Sequence, residues 1–568
     1  MIGSDYKNYL LIGLFSIAVC AGLIPKGLPI GHDLSYELVR VSEYATALKE
    51  EGFPVRWASN LDYGFGQPIF IFYSPVFLFS SSILILLGFK IITSVKIVLF
   101  LVSFIGGIGM YNFSKIYFDK KGALFSSLIF LVFPYKIIDL YTRNAFAEYT
   151  AMAIAPIAFW GIANITKNEF FSKIDYFILV CGGTLFSLSH NLSIVMYLPI
   201  FLTFFFLNIL IYKKNKAILT GLLAGLNIYL IASFFLIPCL SEVEFINHKH
   251  LLVGKFNVSD NFLTLKEIFG FNKWNSLTPL PLFLIIIVIF LMLLRKKNTK
   301  KGLYASMTFF LLWFVILIYL TTNRSKIIWE CILILKYFQF PWRLFSPITF
   351  IVAFLSGFIF FNSKIDVIEE KKHKININEI KFISVLIMLI ALGGIVLNKK
   401  SENLNMLQNN YLFDSDYIKK NGLSATVLSE YRPKWVPENF EGINRGENLL
   451  NNNKDLKIKK INLNGNEYII LVKAYKDCFV TACLYYFPGW KVYNECEEIP
   501  IIIDKNGLIS FKVNKGMKKI TIKFSETHVR RLSNFISIIG FFLFLIIIFG
   551  SSLFHVGKFG LQGRNGRG

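Results

Sequence analysis

Hydrophobic residues in this chain fall in long unbroken blocks. Apolar runs of roughly 16 to 24 residues recur along the first part of the sequence, about what an α-helix rising about 1.5 Å per residue needs to cross a hydrocarbon core. They predict crossings over residues 9–24, 94–114, 122–140, 146–165, 176–189, 192–212, 218–240, 279–294, 303–320, 344–361, 380–397 and 535–554. Block 69–89 is as apolar as these, yet counting it as a crossing would put every later basic loop on the wrong side of the membrane. It is therefore predicted to be re-entrant, or to lie against the membrane on the outer side under protein cover, because exposed irregular backbone is not tolerated in lipid.

With that block removed, both termini are cytoplasmic. Residues 25–67, the surroundings of Arg143, the turn at His190, residues 241–278 and the turn before Arg343 then share the outer face. Within the first outer loop Leu34, Leu38, Val41 and Ala45 recur at helical spacing. They predict an amphipathic helix along the membrane, with His32 and Asp33 at its start.

From about residue 400 the pattern changes. Ile520, Ile522 and Phe524 alternate with Thr521 and Lys523, and Asn464-Gly465, Asn506-Gly507 and Lys515-Gly516 are hairpin-type turn signals. The expected division is a transmembrane domain over 1–398 with outer loop 25–68, an extracytoplasmic β-rich domain over 399–528, and a final transmembrane helix with cytoplasmic tail over 529–568. The fold class is an all-α polytopic membrane protein of about 12 to 13 transmembrane helices carrying a small C-terminal extracytoplasmic β-sandwich.

Composition agrees: 54% of the 568 residues are hydrophobic and the mean hydropathy is +0.54. The formal charge of +24 could suggest nucleic acid, but its distribution excludes that partner. Cations gather in short loops between apolar blocks, at Lys213, Lys214 and Lys216, at 295–301 and at 364–374, the positive-inside pattern. Seven cysteines without paired spacing imply neither a disulfide framework nor a zinc site. The first block has no A-x-A cleavage site, and Val19-Cys20 makes a poor lipobox, so that helix is expected to be retained.

Several polar residues stand out against this background. Asp33 before an apolar-periodic run reads first as a helix N-cap. Glu148 opens the fourth predicted crossing, close to Arg143 but not at i, i+4 spacing, whereas Asn144 is four residues before it and is expected to share its face. Ionisable groups in membrane segments are costly and default to functional candidates, with a structural Arg143–Glu148 pair as the alternative. Arg343, just after Pro341 at the start of a crossing, has a fork of donors suited to phosphate, or snorkels to the interface. Arg56 is a weaker phosphate candidate, and His190 at a helix turn either caps neighbours or meets substrate. His248, Lys249 and His250 with Glu242 and Glu244 nearby read as a polar loop, because nothing fixes metal geometry there.

The string GHDLSYELVR at 31–40, followed by GFPVRWASNLDYGFGQPIFIFYSP at 52–75, resembles the start of the bacterial and archaeal membrane proteins labelled 6-pyruvoyl-tetrahydropterin-synthase-related, which are similar to YfhO-like proteins. The label implies no pterin chemistry. Further segments resemble the same family: RNAFAEYTAMAIAPIAFW from Arg143, SHNLS around His190, FQFPWRLFSP around Arg343, and YYFPGWKVY with NGLISFKVNKG near the C-terminus. The resemblance covers nearly the whole chain, and the first-loop and F-P-W-R motifs are its most specific parts.

That family is placed with the GT-C glycosyltransferases, in which an acidic residue of the first outer loop serves at the active site. The resemblance thus implies inverting transfer of a sugar from a polyprenyl-phosphate donor to an envelope or protein-linked glycan acceptor, a glycan or glycolipid, on the outer side of the cytoplasmic membrane. Asp33 matches the acidic position and is the candidate general base; His32, Arg56, Arg143, Glu148, His190 and Arg343 are candidate substrate-binding residues. No metal site is expected, and a divalent cation is left open. The alternatives are a lipid-linked-glycan transporter or flippase and a non-catalytic scaffold of envelope assembly, in which Asp33 is only a cap.

Overall fold

The computed structural model describes residues 5–168, 170–252, 254–269, 279–295, 301–361, 406–407, 413–440 and 456–550. Three helices come first: α1 (Tyr6–Val19), α2 (Leu34–Glu51) and α3 (Pro75–Leu86). Next are α4 (Ile91–Lys115), α5 (Lys120–Val132), α6 (Phe146–Lys167), α7 (Lys173–Ser187), α8 (Asn191–Tyr212) and α9 (Lys216–Ser241). The remainder of the helical region comprises α10 (Pro279–Arg295), α11 (Lys301–Leu320), α12 (Phe345–Phe360) and, after the β region, α13 (His528–Phe549).

Among the described residues eight helices are long and apolar enough to cross a membrane: α4, α5 with its continuation to Arg143, α6, α8, α9, α11, α12 with its entry turn from Pro341, and α13. Three predicted crossings are shorter. The 14 residues of α1 and the 15 of α7 rise only about 21 to 23 Å, and the apolar part of α10 runs Leu282–Leu294. The first shortens because the chain breaks into a 3₁₀ turn at Ala21–Leu23. The predicted crossing at 380–397, and the basic segments 296–300 and 364–374, lie outside the described residues.

Block 69–89 forms no long helix. Ile69–Phe72 makes one turn, Tyr73 and Ser74 are extended, and Pro75 opens the 12-residue α3. At about 18 Å this helix is too short to span a hydrocarbon core of about 30 Å. The helix packs on α2, with Phe77 and Leu78 buried and the Phe77 ring 5.1 Å from that of Phe146, while Phe79, Leu86 and Leu87 are exposed.

Local chemistry sets the helix boundaries. Asp119 accepts a hydrogen bond from the Gly122 N–H to start α5, and Ser172 does the same for Asp175 in α7. Close packing depends on small residues: a Cβ on Gly106 of α4 would lie 3.0 Å from the Ala153 backbone of α6, and one on Gly540 of α13 would lie 2.8 Å from the Ile231 nitrogen of α9. Around the middle of the bundle Phe113, Phe159, Phe310 and Phe350 form one aromatic cluster, with Phe159 and Phe350 stacked at 4.0 Å.

The C-terminal region contains strands β1 (Leu456–Asn464), β2 (Glu467–Ala474), β3 (Cys478–Tyr485), β4 (Trp490–Asn494), β5 (Glu497–Ile499), β6 (Ile502–Ile503), β7 (Leu508–Val513) and β8 (Gly516–Phe524). They form two antiparallel sheets, ordered β1-β2-β8-β4-β5 and β3-β7-β6, which share one buried core. Ile520 and Ile522 are fully buried, as their alternation predicted. The first turn occupies Gly465-Asn466, one residue later than the sequence signal, since Asn464 pairs with Glu467. The Lys515-Gly516 signal is not a hairpin: it turns the corner from β7 in one sheet to β8 in the other.

The core of the β region also contains the first loop. Trp57 is fully buried against Trp490 and Phe524, and Phe65 stacks on Tyr485 at 5.2 Å. The Phe65 carbonyl accepts the Tyr485 N–H at 3.0 Å. A buried ion pair ties the helices below it: Arg530 at the start of α13 contacts Glu242, just after α9, at 2.8 Å, and also donates to the Pro488 carbonyl.

Both charges of that pair are desolvated, so removing one strands the other. Arg530→Ala should cost about 3 to 5 kcal/mol of stability. The double replacement Glu242→Leu/Arg530→Met should recover most of it in thermal or denaturant unfolding of the detergent-solubilised protein. A double variant no more stable than the single one would show that the pair is not what holds these helices.

Candidate functional site

Helix α2 starts where it does because its first residues are hydrogen-bonded to another part of the bundle. The His32 N–H donates to the Thr142 carbonyl and the Asp33 N–H to the Arg143 carbonyl, both at 2.9 Å. Gly31 permits this approach, since a Cβ there would lie 2.5 Å from the Thr142 oxygen. Asp33 occupies the N-cap position, but its side chain makes no capping hydrogen bond. Its half-buried carboxylate lines a cavity.

The other wall is built by a break between two apolar helices. After α5 the chain continues through Pro134–Ile138 into a wide turn at Asp139–Arg143. Asn144 then takes the left-handed conformation at φ 54° and ψ 39°, which an asparagine tolerates because its amide bonds locally, here to the Leu140 carbonyl at 3.0 Å. Helix α6 begins only at Phe146. The expectation that Asn144 shares a helical face with Glu148 therefore fails, because the chain reverses between them.

That reversal brings Arg143 onto Glu148. Arg143 Nη1 lies 3.0 Å from Glu148 Oε2, donates to Tyr135 at 3.0 Å and pairs with Asp139. Tyr135 in turn donates to Glu148 Oε1 at 2.5 Å. Such mutual satisfaction is what buried charges require. Arg343, in the 3₁₀ turn Pro341–Leu344 that leads into α12, is less committed. Its Nε stands 3.9 Å from Glu148 Oε2 and has no hydrogen-bond partner.

His190, immediately before α8, is hydrogen-bonded through Nδ1 to Ser193 Oγ at 2.9 Å. Burial pushes its pKa down to about 4; the pull of Glu148 upward is opposed by the positive charges of Arg343 and Arg143. The imidazole is therefore neutral near pH 7, a hydrogen-bonding group without charge.

Asp33, Arg143, Glu148, His190 and Arg343 line one cavity of about 1190 Å³, with exposed His32 at its edge. That volume exceeds the roughly 300 to 1,000 Å³ of ordinary small-molecule sites. Its polar part is joined to apolar walls supplied by Leu192, Val195, Leu236, Leu240 and Ile334.

Arg56 is elsewhere. It does not line the cavity; its guanidinium is 3.1 Å from Glu526 and donates to the Phe234 carbonyl and to Asn534, both at 2.9 Å. These contacts brace the first loop against α9 and α13, so the structure does not bring Arg56 together with the other candidate residues. The polar loop is also otherwise engaged: Glu242 holds Arg530, His248 contacts the Val243 carbonyl and His250 contacts Glu438. Among the described residues no group of three or more His, Cys, Asp or Glu side chains is arranged to hold a metal ion.

Two cavity residues escaped the sequence reading. Glu37 and Arg40 are buried on α2, with Tyr73 donating to Glu37 Oε1 at 2.7 Å and the Arg40 guanidinium 4.3 Å above the Tyr73 ring. The available signal was their spacing: Asp33, Glu37 and Arg40 fall at i, i+4 and i+7, a polar stripe beside the apolar one. Asp139 was equally hidden, although it precedes Arg143 by four residues.

No family model matches the sequence. The chain is 25% identical over 364 residues to an uncharacterized protein of Lactococcus lactis subsp. cremoris (strain MG1363), which covers 60% of this chain. The chain spans 55% of the length of that relative, whose name assigns it no activity.

Proposed function

We propose that this protein is an inverting glycosyltransferase that moves a sugar from a polyprenyl-phosphate donor to a glycan or glycolipid acceptor on the outer face of the cytoplasmic membrane. One observation carries this reading. The Asp33 carboxylate, not used in capping, lines the same cavity as Arg343, whose Nε makes no hydrogen bond and stands 3.9 Å from Glu148, and apolar walls adjoin both. A base, a cation free to meet a phosphate and an apolar approach are what such a transfer needs.

The bond changes follow from these positions. The acceptor hydroxyl gives its proton to the Asp33 carboxylate as its oxygen attacks the anomeric carbon. The new C–O bond forms on the face opposite the phosphate, and the bond to the phosphate oxygen breaks with its electron pair leaving on the lipid phosphate. Arg343 stabilises that charge, since charge-assisted donors in a water-poor site act most strongly where charge develops. Arg143, already engaged by two carboxylates, is a positioning residue that fixes Glu148 and, through its carbonyl, the start of α2.

Incubating purified protein with a panel of polyprenyl-phosphate sugars should give donor consumption or transfer. Asp33→Asn keeps size and capping capacity but removes the base, and should lower turnover about 10² to 10⁴-fold without changing folding. Transfer by Asp33→Asn at the parental rate would remove the catalytic assignment. Arg343→Gln should raise KM for the lipid donor, and Arg343→Lys should restore it only in part, because an ammonium lacks the planar fork; an unchanged KM in both variants would exclude phosphate contact. Sidedness has its own check through Cys496, an exposed cysteine of the β region. A membrane-impermeant maleimide should label it in intact cells and fail to do so in Cys496→Ser; protection of Cys496 until lysis would place the β region in the cytosol.

A further inference from the structure

Glu37 is 2% exposed on the first turn of α2, where a carboxylate is ordinarily solvated or bonded to free helix N–H groups. Here Oε1 accepts from Tyr73 and lies 3.7 Å from Arg40 Nη2, while the buried Oε2 has no hydrogen-bond partner. Glu37, Arg40, Tyr36 and Tyr73 all line the cavity, one helical turn from Asp33. Among the described residues four buried carboxylate oxygens have no hydrogen-bond partner, on Glu37, Glu51, Asp139 and Glu526, and Glu37 is the one of these residues that lines the cavity, where a ligand can supply the missing bond.

The chemistry of the missing partner is constrained. Arg40 is already occupied: it stacks on Tyr73, pairs with Glu37 and donates through Nε to the Tyr36 carbonyl at 3.1 Å. What remains on this wall is an acceptor oxygen beside a second carboxylate, Asp33, and aromatic faces. An ionised phosphate or carboxylate has no proton to donate and would meet like charge. A neutral hydroxyl both donates and accepts, and a sugar ring presents hydroxyls on its edge and C–H groups to an aromatic face.

We propose that Glu37, supported by Tyr73 and Arg40, is the specificity-determining residue for the transferred group, and that this group is a neutral hydroxyl-bearing sugar ring, not an anionic one such as a uronate. The inference rests on the proposed glycosyl transfer: phosphate is taken at the Arg343 side and the ring at the α2 side.

Binding measured with three probes separates the two: polyprenyl phosphate alone, the same lipid carrying a neutral hexose, and the same lipid carrying a hexuronate, each titrated into detergent-solubilised protein. The wild-type protein should prefer the hexose lipid to the hexuronate lipid by roughly tenfold or more. Glu37→Gln, which keeps an acceptor for Tyr73, should lose most of that preference while binding polyprenyl phosphate as before. Equal affinity of wild-type protein for hexose and hexuronate lipids overturns the inference without any variant. An unchanged preference in Glu37→Gln with intact phosphate binding overturns it too, and leaves the proposed transfer standing. Failure of all three lipids to bind overturns both.

Discussion

The structure depends on how charge is buried at one end of an apolar bundle. Asp139, Arg143 and Glu148 are each at most 5% exposed, and none could sit there alone, since an isolated ion in low dielectric costs far more than any single contact returns. The three are tolerable only together, with Tyr135 bridging. That requirement fixes where α5 ends, forces the left-handed turn at Asn144 and sets the entry of α6. Because the same turn presents the Thr142 and Arg143 carbonyls to His32 and Asp33, it also fixes the start of α2. The position of Asp33 is thus inherited from an ion cluster of which it is not a member.

A second set of constraints holds the first loop over that end. Trp57 and Phe65 enter the core shared by the two β-sheets, and Arg56 reaches Glu526 and Asn534 while Arg530 reaches Glu242. The first loop, the ends of α9 and α13 and the β region are therefore packed as one body. A change in the β core would be felt in the first loop through the Phe65–Tyr485 contact, which joins the two by ring stacking and by a main-chain hydrogen bond, and from there at α2 through the hydrogen bonds of Asn60 to Glu43.

Much of this was legible in the sequence, for a physical reason: long apolar blocks have few alternatives to helices in lipid, and alternating residues few alternatives to strands. Eight long helices and the burial of Ile520 and Ile522 follow from pattern alone, and the exclusion of block 69–89 as a crossing from the placement of the basic loops. The cavity was legible where charge interrupted an apolar block, as at Arg143, Glu148 and Arg343, and where polar residues stand at helix starts, as at Asp33 and His190. Glu37 and Arg40 were missed because on an amphipathic helix charge is assigned to water, and only tertiary contact shows that this helix is covered on its polar stripe as well. Arg56 stands apart from the cavity for a related reason: a cation in a loop looks alike from sequence whether it meets a ligand or braces two helices. Asn144 failed because a spacing argument assumes an unbroken helix, and one left-handed residue cancels it.

Charge counting around the cavity sharpens the division of labour. Among the described residues six carboxylates line it, Asp33, Glu37, Glu148, Asp260, Glu267 and Glu430, against the three arginines Arg40, Arg143 and Arg343, so the site attracts no anion through its net charge. In a water-poor region, however, the nearest contacts outweigh the sum, because interaction falls with distance and rises as the dielectric drops. Arg143 is held by Glu148 at 3.0 Å and Arg40 donates to the Tyr36 carbonyl at 3.1 Å, whereas Arg343 approaches Glu148 no closer than 3.9 Å. Neutral His190 adds hydrogen-bonding capacity without repelling either neighbouring arginine. In the proposed transfer the lipid phosphate would therefore meet Arg343, the arginine held least closely by the protein, and the carboxylates Asp33 and Glu37 would disfavour an anion on the α2 wall.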